Sequence, residues 1–550
     1  MGSGYGTSKL LVILLVLALL ATVFLGCSPE EAVDEETDDP TDEVDSRIGG
    51  RVVWARADGP TILDPQKHGE AAGSQVNALM GGNLVARNPW THDFEPLHAH
   101  TWDVSDDGLV YTFYLRDDIM WHSGRQLTAH DYVWTYERAF DPATASVQTI
   151  GFLEGLTNYE ALDDLTLELT LGEPSAVFLA NVSSSYTQPL DREYVEEKGD
   201  DYGRYPTGMG AWKFEEWITG ESITLVRNED FAWAEPWFDN QGPPYIEEIH
   251  FRYLPEEATL LAALEAGEID IARVPAHAVD RFEDHPDFEV AVNLQMGMGR
   301  WFMPNISREI WQDHRVRQAV AHALADRDFF IETSLEGRAQ PAYGPMSPPM
   351  MAYNEKVEEL APKHDIERAE TLLEEAGWTM GSDGIREKDG EKFEILLLTR
   401  TEELQMRDAE IAQALLEEVG IKVNIESFER ALHTEKVAGG EHDLSIGQYW
   451  WSSGDPDVLY FFFHSSQAGG GLNHFQLVDP RVDDLLEKQR GAVDQDVRWG
   501  YVGDLQELLV EENYAFFIYI TEEYSAINKN IKDWMVSPAG GIMLNDAWIE

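Results

Sequence analysis

The chain has 550 residues, with 101 acidic against 40 basic side chains and a formal charge of −61. At 43% hydrophobic and 11% aromatic it holds enough apolar surface for more than one sizeable core, which excludes an acidic disordered protein. So large an excess of anionic side chains repels phosphate, so it also excludes general nucleic-acid binding and electrostatic docking on anionic lipid.

At the front, Lys9 precedes an uncharged run over 10–26 (LLVILLVLALLATVFLG) that ends at Cys27, the only cysteine. A charged start, an apolar stretch and a small residue before a break read as a secretory signal over 1–26. An uncleaved anchor is the alternative, because the run sits at the lower edge of membrane-spanning length. Either way, the remainder is expected outside the cytoplasm. With no cysteine after position 27, the folded part has no disulfide framework and no thiol chemistry. Residues 30–46 hold ten acids and no base, and 27–46 read as an extended, self-repelling tether. A charge of −52 remains on 47–550, a solvated acidic coat.

From residue 51 strand-like and helix-like blocks alternate. RVVWA at 51–55 reads as a short strand closed by the turn Asp58-Gly59-Pro60. VYTFYL at 110–115 alternates as a half-buried strand does, and Asp106-Asp107-Gly108 before it is a hairpin signal. Thr128 followed by Asp131 forms a capping box for a helix running toward Phe140 and stopping before Pro142. Over 314–327, Val316, Ala319, Val320, Ala323 and Leu324 make one apolar face of a helix. Ile411, Leu415 and Val419 repeat that pattern, Gly420 is placed as its stop, and Ile421, Val423 and Ile425 alternate as a strand. Helix, glycine and strand in that order indicate mixed α/β layers.

The folded part carries no metalloprotease, phosphate-loop or nucleophile-elbow motif. Gly208 with Gly210, and Gly297 with Gly299, lack the third glycine of a dinucleotide fingerprint and read as turns. His98 and His100 are placed to share one side of a strand, but as exposed histidines rather than a metal pair. No metal or cofactor is therefore expected. The concentrated feature is aromatic, in two clusters: 300–305 (RWFMPN) and 448–457 (QYWWSSGDPD). Flat rings beside hydroxyl, amide and carboxylate groups suit an enclosed small polar ligand, while core packing at a domain seam is the alternative for Trp301 and Trp450.

Several ordered segments resemble the bacterial extracellular solute-binding proteins of family five, the dipeptide-, oligopeptide- and nickel-binding lipoproteins that feed ABC importers. They are 102–116 (WDVSDDGLVYTFYLR), 121–124 (WHSG), 127–131 (LTAHD), 206–212 (PTGMGAW), 263–270 (ALEAGEID), 316–319 (VRQA), 325–327 (ADR), Ala369 through Leu372 and Leu373 to Trp378, and 383–385 (DGI). The resemblance implies an α/β, two-lobed periplasmic-binding-protein fold of the large type II class, with an extra domain inserted in the first lobe. Lobe I would comprise 47–80, 203–297 and 518–550, the inserted domain 81–202, and lobe II 298–517. Residues 300–305 would be one crossing strand beside the cleft, and 449–457 the ligand-facing loop of lobe II.

Cys27 resembles the lipidated cysteine of these proteins, with Phe24 where the signal usually has leucine. In peptide-binding members an aspartate of the 449–457 loop pairs with the ligand's α-amino group, and the matching position is Ser452. The implied roles are Trp301, Tyr449, Trp450 and Trp451 as cleft walls, and Ser452 and Asn305 as hydrogen-bond partners. Asp455 is either an ammonium anchor or a cap of its own turn. Asp58 and Gly59 offer backbone contacts from lobe I. The expected function is that of a non-catalytic, lipid-anchored monomer facing the periplasm or cell exterior. It would carry a peptide, or alternatively an oligosaccharide, to an ABC permease and its ATPase. A secreted hydrolase of glycosidase type is the rival from another class.

Overall fold

The computed structural model describes residues 45–451 and 453–550; the expected signal, Cys27 and Ser452 lie outside them. A 12-stranded sheet runs through both lobes. In lobe I, Arg51–Arg56 pairs in parallel with Glu248–Tyr253 and Ile271–Val274, and the hairpin Trp212–Ile218 and Ser222–Arg227 extends the edge. In lobe II, Glu394–Arg400, Lys422–Phe428 and Leu444–Trp450 form the opposite end, with Gly297–Pro304 inside it.

One long strand, Phe516–Asn528, belongs to both lobes. Its first residues pair with Gly297–Pro304, as Arg300 with Tyr519, and its last residues pair with Ile271–Val274 and Phe288–Leu294. The chain therefore passes between lobes twice, around 294–297 and around 520–522. Each lobe buries its own apolar cluster, one from residues 296–520 and the other mostly from residues 52–253.

A separate four-stranded antiparallel sheet, in the order Ala99–Val104, Val110–Leu115, Thr166–Leu171 and Leu156–Asp163, forms the inserted layer. Helix Ala129–Phe140 covers it with Tyr132 and Tyr136 buried. Its start is the expected capping box: the Asp131 carboxylate accepts from the Thr128 amide at 2.9 Å and also binds Arg125 at 2.6 Å. Because one carboxylate both caps the helix and neutralises a guanidinium, the first turn is tied to the neighbouring loop. His98 is packed away here, its Nδ1 2.8 Å from the Tyr132 hydroxyl.

One local expectation is shortened and another is met. The apolar face Val316, Ala319, Val320, Ala323 and Leu324 lies buried within one helix, His314–Leu324, which ends short of 327 because Asp326 accepts from the Phe329 amide and starts a new helix, Arg327–Leu335. After helix Glu403–Glu418 the stop at Gly420 has φ +80°, a left-handed conformation in which a side chain would be strained, and the strand begins at Lys422.

Candidate functional site

The loop after strand Leu444–Trp450 is the feature that both lobes reach. The Trp451 amide donates to the Met296 carbonyl at 2.9 Å, and the Met351 amide donates to the Gly454 carbonyl at 3.1 Å. Gly454 has φ +65°, and a Cβ there would lie 3.1 Å from the Met296 methyl. Tyr449 sets its ring edge-on to Phe462 with centroids 4.8 Å apart, and Trp451 lies 6.1 Å from Phe461. Burial raises the Tyr449 phenol, so it stays a neutral donor and acceptor. Trp450 is 40% exposed, and the Arg273 guanidinium of lobe I stands 6.0 Å from its ring. The Trp451 indole N–H is buried without a hydrogen-bond acceptor among the described residues.

Asp455 is not the free anchor that one expectation made it. It is buried, and Arg498 binds both its oxygens at 2.9 and 2.6 Å. Burial alone would raise its carboxyl, but Arg498, with help from Arg87, holds it below its usual range. The alternative expectation, a turn cap, is present as well: Oδ1 accepts from the Asp457 amide at 2.8 Å. Asp457 in turn binds Arg490 through two 2.7 Å bonds and Gln489 at 2.7 Å, and Gln489 accepts from Arg498 at 3.0 Å. The Asp-Pro-Asp segment is thus bolted to helices Pro480–Gly491 and Gln495–Glu511 by a closed polar network.

Trp301 and Asn305 are corrected from cleft residues to core residues. Strand Gly297–Pro304 is buried along its whole length, paired on both sides. Trp301 fills the space over Gly447 on the facing strand, where a Cβ would come within 2.4 Å of the indole, and its ring meets Phe462 edge-on at 5.8 Å. Asn305 donates to the Gly440 and His442 carbonyls at 3.0 and 3.2 Å and accepts from Ser307, so its amide is consumed in shaping a loop. Asp58 is exposed and pairs with Arg56 at 3.0 Å, while Gly59 lies under the Tyr253 ring, 2.9 Å from where a Cβ would be. Both belong to lobe I, away from the 449–457 segment in sequence.

The residue that sequence reading missed is Arg87. It ends the short strand Val85–Arg87, which pairs with Phe94–Pro96, and reaches across to lobe II. Its Nη1 donates to the Ser453 carbonyl at 2.9 Å, Nη2 contacts the Met351 sulfur, and Nη2 stands 3.8 Å from Asp455. His92, on the same hairpin with φ +66°, is held down to about 4 by burial and by the adjacent Arg87, and so is neutral at physiological pH. Farther along the same boundary, the Ala176 amide donates to the Arg490 carbonyl at 3.2 Å. Nearer the crossing strands, Arg338 of lobe II pairs with Asp280 and Glu283 of lobe I. The site is thus a set of rings and ion pairs placed where two lobes meet, an arrangement suited to enclosing a solute.

Comparison with known proteins supports that reading of the architecture. The family model described as bacterial extracellular solute-binding proteins, family 5 Middle, matches residues 93–471. Oligopeptide-binding protein AppA of Bacillus subtilis is 24% identical over 547 residues, spanning 98% of each chain. Heme-binding protein A of Haemophilus influenzae is 26% identical over 554 residues, 96% of this chain and 97% of that one. Among solved structures, DppA from Helicobacter pylori in complex with the peptide STSA superposes with a TM-score of 0.70 at 25% identity, over 92% of this chain and 99% of that one. HbpA2 from Haemophilus parasuis shares the fold, with a TM-score of 0.81 at 23% identity over 91% and 100% of the two chains. The match covers well over half the sequence and the two-lobed fold agrees with it, so the chain belongs to the bacterial extracellular solute-binding proteins of family 5.

Proposed function

We propose that this protein captures a short peptide between its lobes and delivers it to the permease of an ABC importer, whose ATPase supplies the work. The observation that carries the reading is the junction of the 449–457 segment with lobe I and its inserted domain: the exposed Trp450 ring, Arg273 of lobe I beside it, and Arg87 of the inserted domain on the Ser453 carbonyl. Contacts of this kind form only when the lobes approach, so a solute that completes them shifts the population toward the closed form. Relatives titled as oligopeptide- and dipeptide-binding proteins, and the STSA complex, favour peptide as the solute class.

In this reading the chain works as a monomer, exported and held by a lipid on Cys27, facing the periplasm or the cell exterior. The discriminating experiment is thermal unfolding against di-, tri- and oligopeptides and against di- to pentasaccharides. A ligand at a hundred times its Kd adds about 2.7 kcal/mol to stability. Peptide-dependent stabilisation is the expected result; stabilisation by sugars alone would replace the peptide assignment with the oligosaccharide one. Turnover of a chromogenic glycoside would bring back the hydrolase. Incorporation of labelled fatty acid, lost in Cys27→Ser, tests the anchor.

A further inference from the structure

Arg87 is a poorly satisfied guanidinium at the boundary of the two lobes. Its side chain is 13% exposed. Of its three nitrogens, Nη1 is engaged by the Ser453 carbonyl, Nε is buried without an acceptor among the described residues, and Nη2 rests on the Met351 thioether. A thioether sulfur is a weak acceptor, so the Nε–Nη2 edge has no strong bond. Nor, among the described residues, does Arg87 have a carboxylate of its own. Asp455 lies 3.8 Å away, but both of its oxygens are taken by Arg498 at closer range. Asp457 is bound by Arg490 and Gln489, and His92 beside it stays neutral. In a folded part that carries −52, a buried cation sharing a second arginine's counter-ion is conspicuous, since carboxylates are plentiful everywhere else.

The Nε–Nη2 edge of a guanidinium is also the fork that grips a carboxylate through two parallel hydrogen bonds. We propose that Arg87 is an anion subsite of the interlobe cleft, taking the C-terminal carboxylate of the bound peptide in place of the Met351 thioether. The carboxylate supplies the missing acceptors and the missing charge, and because Arg87 stays on the Ser453 carbonyl it ties that end of the ligand to the closed arrangement. This rests on the peptide reading above.

The test is calorimetric binding of trialanine, N-acetyl-trialanine and trialanine amide to the full-length protein, to Arg87→Gln and to Arg87→Lys, with succinate and glutarate as non-peptide anions. Charged hydrogen bonds of this kind predict that the amide binds wild type about tenfold or more weaker than trialanine. N-acetyl-trialanine should match trialanine within about threefold, since the neutral N-terminus leaves the charged contact to Arg87 untouched. Arg87→Gln should remove the difference between acid and amide, and Arg87→Lys should restore part of it. Equal binding of acid and amide by wild type overturns the subsite without any variant having to fold, as does a full amide penalty persisting in Arg87→Gln. Binding of glutarate that depends on Arg87, with no trialanine form bound, would keep the subsite and remove the peptide reading. Binding of none of these anions overturns the subsite.

Discussion

Replacing Asp455 by asparagine puts the polar network at the lobe boundary under direct strain. The substitution keeps the shape of the side chain and the bond from the Asp457 amide. It removes the charge that Arg498 grips at 2.6 and 2.9 Å and that Arg87 approaches to 3.8 Å, leaving two largely buried guanidinium groups with no carboxylate between them. Breaking a buried ion pair by removing one partner costs about 3–5 kcal/mol. Unfolding entropy of about 2.1 cal/mol/K per residue gives, for 46–550 unfolding as one unit, about 1 kcal/mol per degree, so Tm should fall by about 3–5 °C. Differential scanning calorimetry of wild type, Asp455→Asn and Asp455→Asn/Arg87→Gln measures this. The double variant should recover part of the loss, because it withdraws one of the stranded charges. A single variant melting within about 1 °C of wild type would refute the reasoning, since Asp455 would then be no more than a replaceable turn cap.

Other outcomes follow from the same structure. His98, His433 and His442 are held down, chiefly by burial, to about 3, 4 and 3, so the folded protein refuses protons that the unfolded chain accepts below about pH 6.5. Stability is therefore full above that pH and is lost toward pH 4, by about 1.4 kcal/mol per pH unit for each such histidine. Urea midpoints at pH 7.5, 6 and 5 should fall more steeply in wild type than in His442→Gln, and equal slopes would contradict the assignment. Gly447→Ala drives a methyl into the Trp301 indole, where the Cβ would stand 2.4 Å from the ring; the overpacking should cost about 1–3 kcal/mol in a chemical melt, and a neutral result would mean the facing strands give way. With −52 on 47–550, screening should raise Tm between 0.1 and 1 M NaCl, as the Debye length shrinks from about 10 to about 3 Å; a fall in Tm would mean the local ion pairs outweigh the general repulsion.

What could be read in advance was local. The strand Val110–Leu115, the Thr128–Asp131 capping box and the stop at Gly420 each depend on residues a few positions apart, and the structure has all three. The fold class was legible because ordered motifs extend along most of the chain. The roles of single side chains were less legible. Trp301 and Trp450 look alike as aromatic residues in polar surroundings. Only the pairing of Gly297–Pro304 with Leu444–Trp450 puts one against Gly447 in the core and leaves the other exposed. Asp455 resembles a ligand anchor until the helix Gln495–Glu511 brings Arg498 to it. Arg87 had no signal at all: it ends a three-residue strand, and its partners lie at 351, 453 and 455. The contacts at this boundary join residues hundreds of positions apart, and no short segment of sequence contains them.

The central claim, a peptide held between the lobes, is tested most directly by native mass spectrometry of the protein after incubation with a mixed library of di- to pentapeptides and, separately, of di- to pentasaccharides. The account predicts one peptide per protein molecule and no retained sugar. A complex with a single saccharide and none with any peptide would contradict it.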